Sequence, residues 1–162
     1  MKPILIAYDG SPAARHAIEE AAALLGPRPA LIATIWEPGL AFAAVAPPTG
    51  IDMPIGTMSV ETALEVDELE RDHARRVAGE GAALARSHGF DAEPIAVPDQ
   101  VNVTETLVEI ARERDVQALV VGSRGLTGIK SRLMGSTSQG LVRHSSRPVL
   151  VVHREEQDDK GS

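Results

Sequence analysis

The chain has no cysteine among its 162 residues, which removes disulfides, thiolate metal sites and cysteine nucleophiles and fits a reducing compartment. Aromatic residues are nearly as scarce. Tyr8, Trp36, Phe42 and Phe90 amount to 2% of the chain, too few for the stacked platforms on which single-stranded nucleic acids lie. Positive charge is in deficit: 16 Lys and Arg against 23 Asp and Glu leave −7, which opposes a nucleic-acid partner held by counterion release. No stretch approaches the roughly 18 to 20 consecutive apolar residues of a spanning helix. The opening residues reach Asp9 before the apolar centre of a secretory signal, about 7 to 15 residues, can accumulate. The expectation is a soluble, cytoplasmic protein with neither nucleic acid nor membrane as its partner.

What is present is an alternation of two periodicities. Apolar residues make up 43% of the chain, near the globular average and enough to bury one core. Short β-rich runs alternate with longer runs of helical period, the order of βαβ units around a parallel sheet. The spacing predicts strands near residues 4–8, 31–36, 92–97, 118–121 and 148–152. The first helix follows Ser11 as cap, with Pro12 in its first turn and Gly26 just past its end. Its residues Ala14, Ala17, Ile18, Ala21 and Leu25 share one face. A long helix is expected over 59–88, with Leu69, Val77 and Leu84 inward and its many charges on a solvated face. Asn102 and Glu105 have capping-box spacing at the start of a short helix that runs through Arg114 with Leu107, Ile110 and Ala111 as its stripe. The last helix is expected over 136–144. Between Trp36 and Ser59 the chain is aperiodic and rich in Pro and Gly, a length of loop that tends to be functional or disordered. The expected organisation is one domain over 1–153, with a polar, mobile tail at 154–162.

The chemistry concentrates at Gly122-Ser123-Arg124-Gly125, followed after nine residues by Gly135-Ser136-Thr137. Gly122 stands at the carboxyl end of a predicted strand and Gly135-Ser136 at the amino end of a predicted helix, the two places where parallel α/β sheets bind ligands. Glycine lets backbone approach a ligand, and the first N–H groups of a helix point at an anion. The arrangement is a phosphate cradle. Ser136 can contribute its hydroxyl to that cradle or serve as an ordinary N-cap. For this composition the pattern is expected by chance roughly 0.01 times. Residues 122–147 carry Arg124, Lys130, Arg132, Arg143 and Arg147 and no acid, a local +5 within a chain of −7, and a field of that sign attracts polyphosphate.

Asp9, at the end of the first strand, faces the same edge. Its carboxylate can hold a ribose hydroxyl, a base edge or a magnesium ion, or it can close an Asx turn. Other nucleotide motifs fail: Ile129 precedes Lys130-Ser131 where a P-loop needs Gly, and the first βα turn offers Asp9-Gly10-Ser11 in place of G-x-G-x-x-G. The histidines His16, His73, His88, His144 and His153 show no metal-ligand spacing. With no G-x-S-x-G elbow, neither Ser123 nor Ser136 has the context of an activated nucleophile. No catalytic residue is identified.

The opening Ile4-Leu5-Ile6-Ala7-Tyr8-Asp9-Gly10-Ser11, the Gly122-x-x-Gly125-x9-Gly135-Ser136 pattern and the closing Arg147-Pro148-Val149-Leu150-Val151-Val152 together resemble the ATP-binding branch of the universal stress protein family. The resemblance spans positions 1 to about 153. It implies an α/β fold: a single-domain, open five-stranded parallel sheet of order 3-2-1-4-5 flanked by four helices, Rossmann-like and similar to the adenine nucleotide alpha hydrolases. It implies ATP or another adenine nucleotide, with magnesium, across the carboxyl edge of the sheet. Ala7, Tyr8 and Asp9 would line the adenosine, and Ile35 would pack against the base or ribose. Val121 and Gly122 would lie on the ribose side. Arg124, Gly125, Gly135, Ser136 and Thr137 would hold the phosphates, and Asp9 would reach the magnesium ion. A homodimer through the C-terminal strand and a role in the stress response are also implied. Two alternatives remain open on this reading: a slow ATPase or autokinase using the same pocket, and an interaction dimer that binds no nucleotide.

Overall fold

The computed structural model describes residues 1–39, 60–123 and 134–153. Most of the aperiodic loop and the tail, expected to be mobile, lie outside these residues. The elements are β1 (Ile4–Ala7), α1 (Pro12–Leu25), β2 (Pro29–Trp36), α2 (Val60–Ser87), β3 (Asp91–Pro98), α3 (Val103–Glu113), β4 (Leu119–Gly122), α4 (Ser136–His144) and β5 (Val149–Val152). All strand pairs are parallel, and the order is β3-β2-β1-β4-β5. That is the expected sheet.

Strand β1 lies at the centre, with Leu5 opposite Leu31 of β2 and Leu119 of β4. Both of its faces must therefore be apolar, and its continuous Ile-Leu-Ile-Ala run supplies them. Successive side chains alternate between two cores. Ile4, Ile6 and Tyr8 join Ile32 and Val120 beneath α1 and α2, while Leu5 joins Leu31, Ala33, Leu119 and Val121 beneath α3 and α4. Strand β3, at one edge, tolerates Pro94 and Pro98 because proline can occupy an edge strand without breaking a two-sided ladder.

The helices are placed by local signals the sequence carries. Ser11 Oγ accepts a hydrogen bond from Ala14 N at 3.1 Å, Pro12 opens α1, and Gly26 closes it at φ +69° with its N–H bonded to Ala22 O. Such an N-cap stabilises a helix by about 1 kcal/mol. Asn102 Oδ1 caps α3 through Glu105 N at 2.9 Å.

Helix α2 departs from expectation. Leu69 is 68% exposed, and the buried face is made of Ala63, Ala74, Ala78, Ala82 and Ala85. Val77 and Leu84 sit at the flank, half-buried against the core. The reason is closeness: a Cβ on Gly81 would lie 2.6 Å from Tyr8 Cδ1 and 2.9 Å from Ile32 Cγ2. The helix packs so near β1 and β2 that only small residues fit, and a leucine on that face would push it away.

This packing separates two neighbouring glycines. In a helix interior, Gly→Ala gains about 1 kcal/mol from propensity. At Gly79 nothing lies within 4 Å of the added methyl, so Gly79→Ala is expected to raise the urea midpoint. At Gly81 the ring of Tyr8 cannot swing away, and overpacking of about 1 to 3 kcal/mol exceeds the propensity gain. Gly81→Ala is expected to lower the midpoint, and equal shifts for the two variants would disprove the close approach.

Candidate functional site

Because all five strands run parallel, their carboxyl ends share one edge, and the β1–α1 and β4–α4 connections leave it side by side. The first connection is tightly held. Tyr8 N–H donates to Ala33 O at 2.8 Å, Tyr8 O accepts from Thr34 Oγ1 at 2.8 Å, and Asp9 Oδ1 accepts from Ser11 N at 2.9 Å. Gly10 bends the chain at φ +79°, a left-handed conformation that favours glycine. Asp9 thus closes an Asx turn, and its Oδ2 is left without a partner among the described residues.

The second connection is anchored as firmly. Ser123 N–H donates to Val152 O at 2.8 Å, and Ser123 O accepts from Gly135 N at 2.7 Å. The start of α4 is thereby fixed beside the end of β4. Ser138, fully buried, donates from Oγ to Gly135 O at 2.9 Å. Gly135 is the N-cap, with φ −63° and ψ 160°. Ser136 is the first helical residue, so its side chain is not the cap. It is exposed, and Thr137 is half-buried. The leading N–H groups of α4 have no intrahelical acceptor, and no acidic residue stands in its first turn, so this end carries the positive pole of the helix.

Between the two connections lies a cleft of about 250 Å³, near the lower end of the roughly 300 to 1,000 Å³ of small-molecule sites. Ala7, Tyr8 and Asp9 border it on one side, and Gly135, Ser136 and Thr137 on the other. Val121 and Gly122 at the end of β4 and Ile35 at the end of β2 also line it. Arg124 and Gly125 lie outside the described residues.

Two of these residues also serve the packing of the fold. Tyr8 meets the cleft only through its main chain, because its ring is in the opposite core. Burial pushes its phenol above the usual tyrosine range; Arg15 opposes the shift, and Glu80 and Asp9 add to it. The Tyr8 hydroxyl has no hydrogen-bond partner among the described residues. Gly122 is required by packing: a Cβ there would lie 2.9 Å from the carbonyl carbon and oxygen of Ala13 in α1.

The structure adds lining residues that motif reasoning did not single out as ligands: Ala14, Ala33, Ser123, Ser138, Val103 and Leu107. Ala33 was signalled by its spacing of two from Ile35. Val103 and Leu107 are an i, i+4 pair whose face reads as ordinary core. Asp9 is the only carboxylate among the described lining residues. Among the described residues no three His, Cys, Asp or Glu are grouped to hold a metal ion, and no helix is long and apolar enough to cross a membrane.

A profile described as the universal stress protein family matches residues 1–153. The chain belongs to the universal stress protein family. Universal stress protein Rv2623 of Mycobacterium tuberculosis is 28% identical over 158 residues, covering 94% of this chain and 48% of that protein. The chain spans less than half the length of several curated family members it matches. Protein MJ0577, whose published structure is described as a structure-based assignment of biochemical function, superposes with a TM-score of 0.74 at 23% identity over 96% of this chain and 97% of its own. A universal stress protein crystallised in complex with cAMP superposes with a TM-score of 0.56 at 26% identity, over 94% of this chain and 96% of its own.

The Asx turn predicts a split between two substitutions at one position of this family member. Asp9→Asn keeps an acceptor for Ser11 N–H and is expected to hold the parent's stability within about 0.5 kcal/mol. Asp9→Ala deletes that bond and is expected to cost about 0.5 to 1.5 kcal/mol in urea unfolding. Identical stabilities for the two would show that the turn does not depend on the side chain.

Proposed function

We propose that this chain is an adenine-nucleotide-binding module of the stress response, with ATP as its ligand in the cleft at the carboxyl edge of the sheet. The observation that carries the reading is the pairing, in one cleft, of an uncommitted Asp9 oxygen with the positive N-terminus of α4 across an apolar wall. That is the polarity of a nucleoside polyphosphate, whose base and sugar are flat and weakly polar and whose phosphates are anionic. Adenine and ribose lie against Ile35, Val121 and the β1 end, with Asp9 on a ribose hydroxyl or a magnesium ion. Phosphates lie at Gly135, Ser136 and Thr137. The cAMP complex of a family member supports the ligand class.

The lining of the cleft fits magnesium. One carboxylate beside phosphate oxygens is an ordinary way to hold this ion, whereas an all-protein cage would need more acids than the described cleft contains. Asp9 is the residue that would hold it. Held there, the ion would supply positive charge that neutralises the phosphates.

Ser136 provides the decisive substitution. Proline is favoured at the first position of a helix, and Gly135 at ψ 160° already has the extended conformation required before it. Ser136→Pro therefore removes one N–H and one hydroxyl while leaving α4 formed. Losing one charge-assisted hydrogen bond of about 1.5 to 3 kcal/mol is expected to weaken ATP binding about tenfold or more by titration calorimetry, with an unchanged circular dichroism spectrum. Parent-like affinity in this variant would overturn the assignment of phosphates to α4.

The same reading includes a cytoplasmic homodimer. Strand β5 is an edge strand, and Val149, Leu150 and Val151 are only partly covered. An apolar unpaired edge is a template for a second copy. Light scattering at tens of micromolar is expected to give twice the 17.1 kDa chain mass, and a monomer mass would disprove the dimer.

A further inference from the structure

The two walls of the cleft belong to different helices. Val103 and Leu107 come from α3, and the Gly135–Ser138 end comes from α4. A ligand that touches both walls depends on the distance between these helices. They approach closely at Gly140: a Cβ on Gly140 of α4 would lie 2.6 Å from Thr104 Oγ1, 2.7 Å from Thr104 Cγ2 and 3.2 Å from Thr104 Cβ. Neither Gly140 nor Thr104 lines the cleft. Yet Thr104 follows Val103 directly, and Gly140 lies one helical turn beyond Ser136 and Thr137.

We infer that the Gly140–Thr104 contact sets the width of the cleft, which makes Gly140 a positioning residue for adenine-nucleotide binding; the inference rests on the nucleotide reading above. Threonine is short and β-branched, with both clashing atoms on Cβ, so it has no flexible end to swing aside. A methyl at position 140 is accommodated by moving α3 and α4 apart. Restoring ordinary van der Waals distance takes roughly 1 Å. A phosphate hydrogen bond of about 2.9 Å stretched by that much passes the limit of about 3.5 Å at which it ceases to be one. The base wall and the phosphate donors then cannot be engaged together.

The propensity effect runs the other way. Alanine is a better helix former than glycine, so Gly140→Ala strengthens α4 locally. A loss of affinity in a folded variant is therefore not explained by a weakened helix. Calorimetric titration of the full chain with ATP, at a temperature where circular dichroism shows each variant folded, tests the inference. Gly140→Ala is expected to bind about tenfold more weakly, the size of one lost phosphate contact. Thr104→Leu enlarges the contact from the other helix, and is expected to do the same if Gly140→Ala does not fold. Thr104→Ala removes the clashing Oγ1 and Cγ2. Combined with Gly140→Ala it is expected to restore affinity to within about threefold. Parent-like binding by folded Gly140→Ala, or a loss that Thr104→Ala does not restore, overturns the spacer. Absence of ATP binding by the parent chain overturns the nucleotide reading itself, an outcome distinct from either.

Discussion

Strand β1 is hydrogen-bonded on both flanks and apolar on both faces, and the geometry of the cleft follows from where it ends. All four of its residues pair with β2 on one side, and Leu5 and Ile6 pair with β4 on the other. The chain leaving it must turn at the middle of the carboxyl edge, between two other strand ends. The turn is held by main-chain bonds from Tyr8 to β2, by the Thr34 hydroxyl and by the Asp9 side chain. A rigid turn at the centre of a rigid sheet gives the cleft one immobile border. The opposite border is tied to the same sheet by Ser123, whose carbonyl accepts from the Gly135 N–H. Both polar borders are thus referenced to strands, and hydrogen-bonded strands are the least deformable elements of the molecule.

Small residues determine how closely the helices approach this sheet. On α2 the inward face is alanine and glycine, and the Tyr8 ring fills the space that larger side chains would have taken. At Gly122 the first turn of α1 passes so near β4 that a methyl group would meet the Ala13 carbonyl. A glycine at a strand end can therefore belong to a ligand-binding pattern and to a packing contact at once. The physical requirement visible in this fold is the packing contact, and the open backbone beside the cleft is its consequence.

The protein is acidic, yet among the described residues the cleft is bordered by a single carboxylate and a helix N-terminus. Net charge acts over distances comparable with the Debye length, about 8 Å at physiological ionic strength. A helix terminus acts at hydrogen-bond range. An anion at the cleft responds mainly to the N–H groups of α4, and the charges elsewhere on the chain are screened from it.

The strands, helix limits and caps were legible in the sequence because each is a local property. Apolar runs, 3.6-residue periodicity, Ser11 before Pro12, Gly26 and Asn102 all act within a few residues of where they stand. The sheet order was not contained in those periodicities and entered through the resemblance of the two ends and the glycine pattern to a known family. The inward face of α2 was misjudged because alanine carries a weaker apolar signal than leucine, and the preference for alanine arises from a ring on a strand more than 70 residues away in the chain. The α3 wall was overlooked because a Val103–Leu107 pair has the same spacing whether it faces a core or a cleft. The sequence by itself determined the elements, their caps and the residues available at each strand end. Tertiary structure decided which face each element buries, that Tyr8 turns away from the cleft and that Gly122 answers to α1, because these depend on distances between segments remote in sequence, which no local pattern encodes.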